Sequence, residues 1–309
     1  MPNKIISGLL PALLCAQLAV AQSPPAATGE SPTEAAPEQD PVTGECQRIG
    51  DKLSSVDVKE CLDRKLLVTD GKSVLGTPIL YKEYPPLPGQ RSPLGRVLLI
   101  GGIHGDEYSS VSIVFKWMRT LDQHHSGMFH WHVVPLLNPD GLLRKDSQRM
   151  NEHNVDLNRN FPMRDWESRT RDYWINTTLR DPRLFPGDGP LSEPETRWLA
   201  QEIDAFQPDV IVSVHAPYTL VDYDGPKNGP HKLGKLYLQL IGAYPGSLGN
   251  YAGVQRKIPV VTIELPYAGI MLKPTEVAGI WADLVKWLTD NIHLKQYKVA
   301  RDQLADAPG

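Results

Sequence analysis

The sequence is short of several things, and each shortage excludes something. Only 3 cysteines occur in 309 residues, so a disulfide-dense scaffold is excluded. No apolar run reaches the roughly 18 residues that a membrane-spanning helix needs. Neither sign of charge dominates: 32 Lys and Arg stand against 36 Asp and Glu, a formal net charge of −4. Nothing in that balance attracts nucleic acid. Glycine (25) and proline (28) follow no period, which argues against collagen, coiled coil and solenoid. What is present is 41% hydrophobic residues, enough for a full core in one large or two modest domains.

The first residues read as an address. Lys4 gives a positive start, Ile5 to Leu14 is mostly apolar, and Ala19-Val20-Ala21 is a small-residue cleavage site. This layout predicts a signal peptide over 1–21, cut after Ala21, and hence a periplasmic or secreted protein with no stable membrane insertion. Cys15 falls within the removed peptide. Residues 22–45 are rich in Pro, Ala, Glu, Ser and Thr and read as a disordered linker. Cys46 and Cys61 then remain, in a small N-terminal segment over 46–70. An even pair in an oxidising compartment predicts a disulfide, with two unpaired thiols as the alternative.

The folded part, 71–295, alternates strands and helices, with a C-terminal tail over 296–309. Strands are predicted over Arg96 to Gly101, Phe129 to Leu137, Asp209 to His215 and Ile258 to Leu265, from short, nearly continuous apolar runs. Helices are predicted over Glu107 to Leu121, from Pro194 to about Phe206, and over Pro274 to His293. Ser192 and Glu195 have the spacing of a capping box, and Pro194 suits a first turn. The pattern predicts an α/β domain, a largely parallel sheet with helices on both faces. Sites in such sheets lie at the carboxyl ends of strands, and the polar clusters fall there.

The first predicted strand runs into Ile103-His104-Gly105-Asp106-Glu107, and another ends at His215. Two His and one Glu around one ion make a catalytic zinc shell with a fourth position left for water. Zinc would lower the pKa of that water and polarise a carbonyl. Alone, His-x-x-Glu is a weak signal, but its company is informative. Asn138-Pro139-Asp140-Gly141 reads as a tight turn after a strand. Asn158 and Arg159 stand side by side in Asp156-Leu157-Asn158-Arg159-Asn160-Phe161, an arrangement suited to a carboxylate. Arg149 lies ten residues earlier. Glu264 ends a strand, where a carboxylate near zinc can serve as general base and then deliver the proton to the leaving amine.

Taken together, these motifs, with Ser213-Val214-His215 and Thr262-Ile263-Glu264-Leu265, resemble the zinc carboxypeptidase family over roughly residues 70 to 290. The resemblance implies a three-layer α/β/α fold around a mixed, mostly parallel, about eight-stranded sheet. It implies one Zn2+ per chain on His104, Glu107 and His215, with Glu264 as general base and acid. It places Arg149 at the scissile carbonyl and its oxyanion, and Asn158 and Arg159 at the terminal carboxylate of the substrate. Tyr244 corresponds to a substrate-capping tyrosine, with Tyr251 and Tyr267 as alternatives. The short span from His215 to Glu264, and the segments 215–226 and 244–253, resemble the murein peptide amidase branch. That branch cuts the bond between γ-D-glutamate and meso-diaminopimelate, so the implied partner is a murein peptide. Asp222 and Asp224 are candidates to receive the ammonium of diaminopimelate; otherwise they shape a Gly-Pro turn.

Competing readings are a carboxypeptidase acting on ordinary or other cell-wall peptides, an esterase-like deacylase, and a non-catalytic murein-peptide binding protein. His124, His125, His130 and His132 read as solvated or edge residues rather than ligands.

Overall fold

The computed structural model describes residues 40–89, 92–226 and 228–305. The signal-peptide stretch and residues 22–39 of the linker lie outside the described residues.

Two helices, α1 (Pro41–Lys52) and α2 (Val58–Asp63), precede the sheet. The first begins inside the stretch read as linker. Asp40 accepts a hydrogen bond from the Thr43 amide and Pro41 occupies the first turn, so this local sequence carries its own start signal. Cys46 and Cys61 are joined by a disulfide that ties α1 to α2.

Nine strands form one mixed sheet among the described residues: β1 (Leu67–Lys72), β2 (Pro78–Tyr84), β3 (Gly95–Ile100), β4 (Phe129–Val134), β5 (Val210–His215), β6 (Leu220–Asp224), β7 (Lys232–Leu233), β8 (Leu236–Leu238) and β9 (Val260–Glu264). Their order is β1-β2-β4-β3-β5-β9-β6-β8-β7. The centre, β4-β3-β5-β9, is parallel, and antiparallel pairings join it to β2 on one side and β6 on the other. The sheet is mixed as expected, with nine strands in place of about eight.

Alternation along β3 shows why both faces are covered. Val97 and Leu99 pack with α3 (Tyr108–His124) and α6 (Pro274–Ala305), whereas Leu98 and Ile100 pack toward α5 (Pro194–Phe206). On the first face Trp281 of α6 contacts Trp117 of α3 and Trp131 of β4, with ring centroids 5.5 and 5.3 Å apart. Helix α6 continues to Ala305, so the separate tail over 296–309 is helical as far as it is described. No helix among the described residues is long and apolar enough to cross a membrane.

The expected capping box at α5 does not form. Glu193 occupies the cap position, and the Ser192 hydroxyl donates to its carboxylate instead. Glu195 turns into a buried polar network, where its carboxylate accepts hydrogen bonds from Asn151 Nδ2 and the Val74 amide. Burial pushes the Glu195 carboxyl up to about 7, and nearby Asp140 adds to the rise. The folded protein therefore holds a proton there that the unfolded chain releases near pH 4.5. That stabilisation is complete below about pH 4.5 and is lost as pH rises through about 7. Chemical denaturation from pH 4.5 to 7.5 should show unfolding free energy falling by up to about 3 kcal/mol from this group. Glu195→Gln should flatten that part of the profile; an unchanged slope in the variant would assign it to other groups.

Candidate active site

His104 lies in the loop after β3, and Glu107 is the residue just before α3. His215 is the last residue of β5, and the β5–β9 register sets it directly beside Glu264, the last residue of β9. Three strand ends thus deliver the polar residues to one place. The loop holding His104 is pressed against the Asn138–Gly141 segment: a Cβ on Gly105 would lie 2.2 Å from the Gly141 carbonyl carbon. That segment is not a simple turn but opens the short helix α4 (Pro139–Leu143), with the Asn138 side chain accepting from the Gly141 amide.

Nδ1 of His104 lies 2.8 Å from Glu107 Oε1 and 3.2 Å from His215 Nδ1, and His215 Nδ1 is 3.2 Å from Glu107 Oε2. All three residues are buried. The outer nitrogens are held from behind, His104 Nε2 by Asp156 Oδ1 at 3.2 Å and His215 Nε2 by the Ser213 hydroxyl at 2.9 Å. Outer partners that take the Nε2 protons leave the Nδ1 lone pairs facing each other and the carboxylate. Such a convergent set of acceptors suits a divalent cation, and two imidazoles with one carboxylate match the donors that zinc prefers. Burial opposes ionisation of Glu107, yet His104 and His215 hold its carboxyl well below the usual range.

Asp156 makes a second attachment. Its Oδ2 receives Nε and Nη2 of Arg149 at 3.0 and 2.9 Å, so one fully buried carboxylate positions both an imidazole and a guanidinium. Burial works against its ionisation, but Arg149 and His104 outweigh it and keep the carboxyl well below the ordinary range. The remaining Arg149 nitrogen, Nη1, is turned toward His104 Nδ1 at 3.2 Å.

These groups line a cavity of about 670 Å³. Arg149, Asn158, Arg159, Tyr244, Asp222, Asp224 and Glu264 open onto the same space as His104, Glu107 and His215, so all ten residues singled out in the sequence meet there. Arg159 is nearly buried, its guanidinium lies 4.6 Å from the Tyr244 ring centroid, and its Nε has no hydrogen-bond partner among the described residues. The loop that carries it is stitched down by Asn160, whose Nδ2 donates to the Pro186 and Gly189 carbonyls and whose Oδ1 accepts from Thr196. It is also pressed by Gly246, where a Cβ would fall 2.1 Å from the Arg159 carbonyl oxygen and φ is +74°. Asn158 accepts from the Leu248 amide. Tyr251 instead stacks on Phe161, and Tyr267 is an exposed residue outside the cavity lining. Glu264 is buried, and its Oε2 has no hydrogen-bond partner among the described residues. Burial raises its carboxyl against the pull of His215, and Glu107 adds to the rise.

Sequence reasoning missed the holding role of Asp156 and the wall residues Arg183 and Tyr218. The pairing of Asp156 with His104 and Arg149 spans 52 and 7 residues, and no local spacing signals it.

The zinc carboxypeptidase family pattern matches residues 59–232, more than half of the chain. The chain belongs to the zinc carboxypeptidase family. Membership makes it a zinc-dependent metallohydrolase, and His104, Glu107 and His215 are its candidate metal-binding triad. Murein peptide amidase A of Escherichia coli (strain K12) is 33% identical over 224 residues, 70% of this chain and 88% of that protein. Murein peptide amidase A of Vibrio campbellii is 34% identical over 203 residues, 63% of this chain and 77% of its own length. Carboxypeptidase A from Helicoverpa armigera shares the fold at 18% identity and a TM-score of 0.57, covering 82% of this chain and 71% of that one.

Replacing Asp156 with Asn should keep the volume but remove the charge that holds Arg149 and His104. Zinc affinity or kcat/KM should then fall by about 10- to 100-fold. Metal competition and steady-state kinetics on the folded variant check this; wild-type values for both would remove Asp156 from the site.

Proposed function

We propose that this enzyme hydrolyses the amide bond between γ-D-glutamate and meso-diaminopimelate in murein peptides. The observation that carries this reading is the charge layout of the cavity. Arg159 offers a nearly buried cation with an unused Nε, and Asp222 and Asp224 offer two carboxylates in the same space. No cationic side chain among the described residues pairs with either aspartate. Burial pushes the Asp224 carboxyl up to about 6, and Asp222 adds to the rise. An ammonium entering the cavity would lower both, so the pair is a site waiting for a cation. Diaminopimelate presents a carboxylate beside the scissile amide and an ammonium at its far end, which is the complement of this wall. The murein peptide amidases that share 33–34% identity with the chain support the same substrate class.

The chain's own groups have separable tasks in this proposal. His104, Glu107 and His215 would hold one zinc ion, which supplies Lewis acidity toward water and the scissile carbonyl. Glu264, raised by burial and free of hydrogen bonds at Oε2, takes a proton from the attacking water and returns it to the leaving amine. Arg149 is clamped at Nε and Nη2, and its Nη1, now turned toward His104 Nδ1, would donate to the carbonyl oxygen once a metal ion takes up that nitrogen. Asn158 and Arg159 bind the carboxylate of the leaving residue, and Tyr244 lies over the Arg159 guanidinium at the cavity wall.

The setting proposed is the periplasm or the cell exterior. The signal-peptide pattern of residues 1–21 supports it, as does the Cys46–Cys61 bridge, since such bonds persist in oxidising compartments.

Mass spectrometry after incubation with L-Ala-γ-D-Glu-meso-diaminopimelate should find free diaminopimelate, and a chelator should abolish its release. Release of C-terminal L-residues from ordinary peptides at an equal rate would replace this reading with general carboxypeptidase activity. Glu264→Gln should lower kcat by at least about 100-fold while zinc stays bound. Asp222→Asn with Asp224→Asn should raise KM for the diaminopimelate peptide by about tenfold or more and leave that for a lysine-free dipeptide unchanged. Equal effects on both substrates would separate these aspartates from specificity.

A further inference from the structure

His130 and His132 are neither the solvated nor the edge residues their sequence suggests, since β4 lies between β2 and β3. They stand two apart on β4 and point to the face that carries α5. Phe206 of α5 stacks on the His132 ring at 3.7 Å and meets the His130 ring edge-on at 5.0 Å. Their side chains are 20% and 15% exposed. Glu83 of β2 is the register partner of His132 in the antiparallel β2–β4 pair. Its Oε1 lies 2.7 Å from His130 Nε2 and 3.8 Å from His132 Nε2. Glu202 of α5 engages the opposite nitrogen, Nδ1 of His132.

We propose that Glu83, His130 and His132 form a second metal site, for zinc or a similar borderline divalent cation, that clasps β2 and β4 beneath α5. Three features carry it. The nitrogen and oxygen ligand atoms all lie within 4.8 Å of one another. Two ligands on one tetrahedral zinc ion sit about 3.4 Å apart, and the distances to Glu83 Oε1 bracket that value. Glu202 takes the Nδ1 proton of His132, which leaves the Nε2 lone pair aimed toward Glu83 Oε1, an acceptor facing an acceptor. The aromatic contacts fix both rings before any ion arrives, so little side-chain entropy is lost on binding. Glu83, 39% exposed, leaves a path for entry and a free coordination position for water.

The site is remote from the candidate active site. His130 pairs with Arg96 near the beginning of β3, whereas His104 follows that strand's other end. The carboxylate beside it, Glu202, is held by His132 Nδ1, and the cavity that Glu264 and Arg149 line does not include these residues, so the role inferred is structural.

The test uses metal-stripped full chain titrated calorimetrically with Zn2+. Wild type should bind two ions per chain. Glu83→Gln with His130→Gln, substitutions on a half-exposed sheet face, should bind one, as should His104→Ala with His215→Ala. In the latter protein Zn2+ should still raise the unfolding midpoint, and adding Glu83→Gln and His130→Gln should abolish that rise. Co2+ absorption, which reports imidazole ligation, should follow the same pattern. Equal Zn2+ stoichiometry in wild type and Glu83→Gln/His130→Gln overturns the second site. A wild-type stoichiometry in His104→Ala/His215→Ala would instead count against the active-site ligand set, so the two failures are distinguishable.

Discussion

A single buried carboxylate organises the catalytic end of this protein. Asp156 holds His104 through one oxygen and Arg149 through the other. Asp156 is fully buried, so losing Arg149 would leave its charge uncompensated. The same residue begins the loop that carries Asn158 and Arg159, and its Oδ1 also accepts from the Asn158 amide. The orientation of a candidate metal ligand, the aim of a guanidinium and the start of the carboxylate-binding loop therefore share one anchor. Asn160 fixes the far end of that loop to α5, which converts a flexible connection into a cavity wall.

The cavity built on this anchor is polarised. Two of its cations, Arg149 and Arg159, are on elements tied to Asp156, a third, Arg183, pairs with Asp106, and its spare anions, Asp222 and Asp224, come from β6. The β6–β9 register pairs Asp222 with Thr262 and Asp224 with Val260, so the anionic wall continues the sheet that ends in Glu264. A close backbone approach keeps that wall in place: a Cβ on Gly249 would lie 1.9 Å from Asp224 Oδ2. The two aspartates and Glu264 are thus carried by neighbouring strands of one sheet.

Much of this was legible from the residues because parallel strands advertise themselves. The runs at Arg96 to Gly101 and Val210 to His215 are buried on both faces, and a polar residue that ends such a run has few places to go but the carboxyl edge. The flanking strands were not legible. Leu67–Lys72 contains Thr-Asp-Gly-Lys, and β7 and β8 are two and three residues long, so neither composition nor period marks them. Helix α1 hid behind the Pro-rich composition of the residues before it. Glu195 was misread because a local capping pattern gave way to a tertiary partner, Asn151, that no spacing reveals. His130 and His132 were misread for a related reason: polar alternation on a strand implies solvent only when no helix covers that face.

The two histidine–glutamate clusters show what separates a reactive centre from a clasp. Both offer two imidazoles and one carboxylate, and both have an outer group fixing an imidazole from behind. Ligand identity therefore does not decide the role. The cluster at His104 opens into a large cavity, and beside it lies a buried carboxylate, Glu264, with an oxygen that has no hydrogen-bond partner among the described residues. Keeping that oxygen unpaired costs stability, and a partner arriving from outside would relieve the cost. Around His130 the neighbours are aromatic rings and a helix flank that hold the imidazoles still, and the one further carboxylate, Glu202, is already engaged by His132 Nδ1. The first cluster differs in that the carboxylate beside it, Glu264, keeps an oxygen without a partner among the described residues.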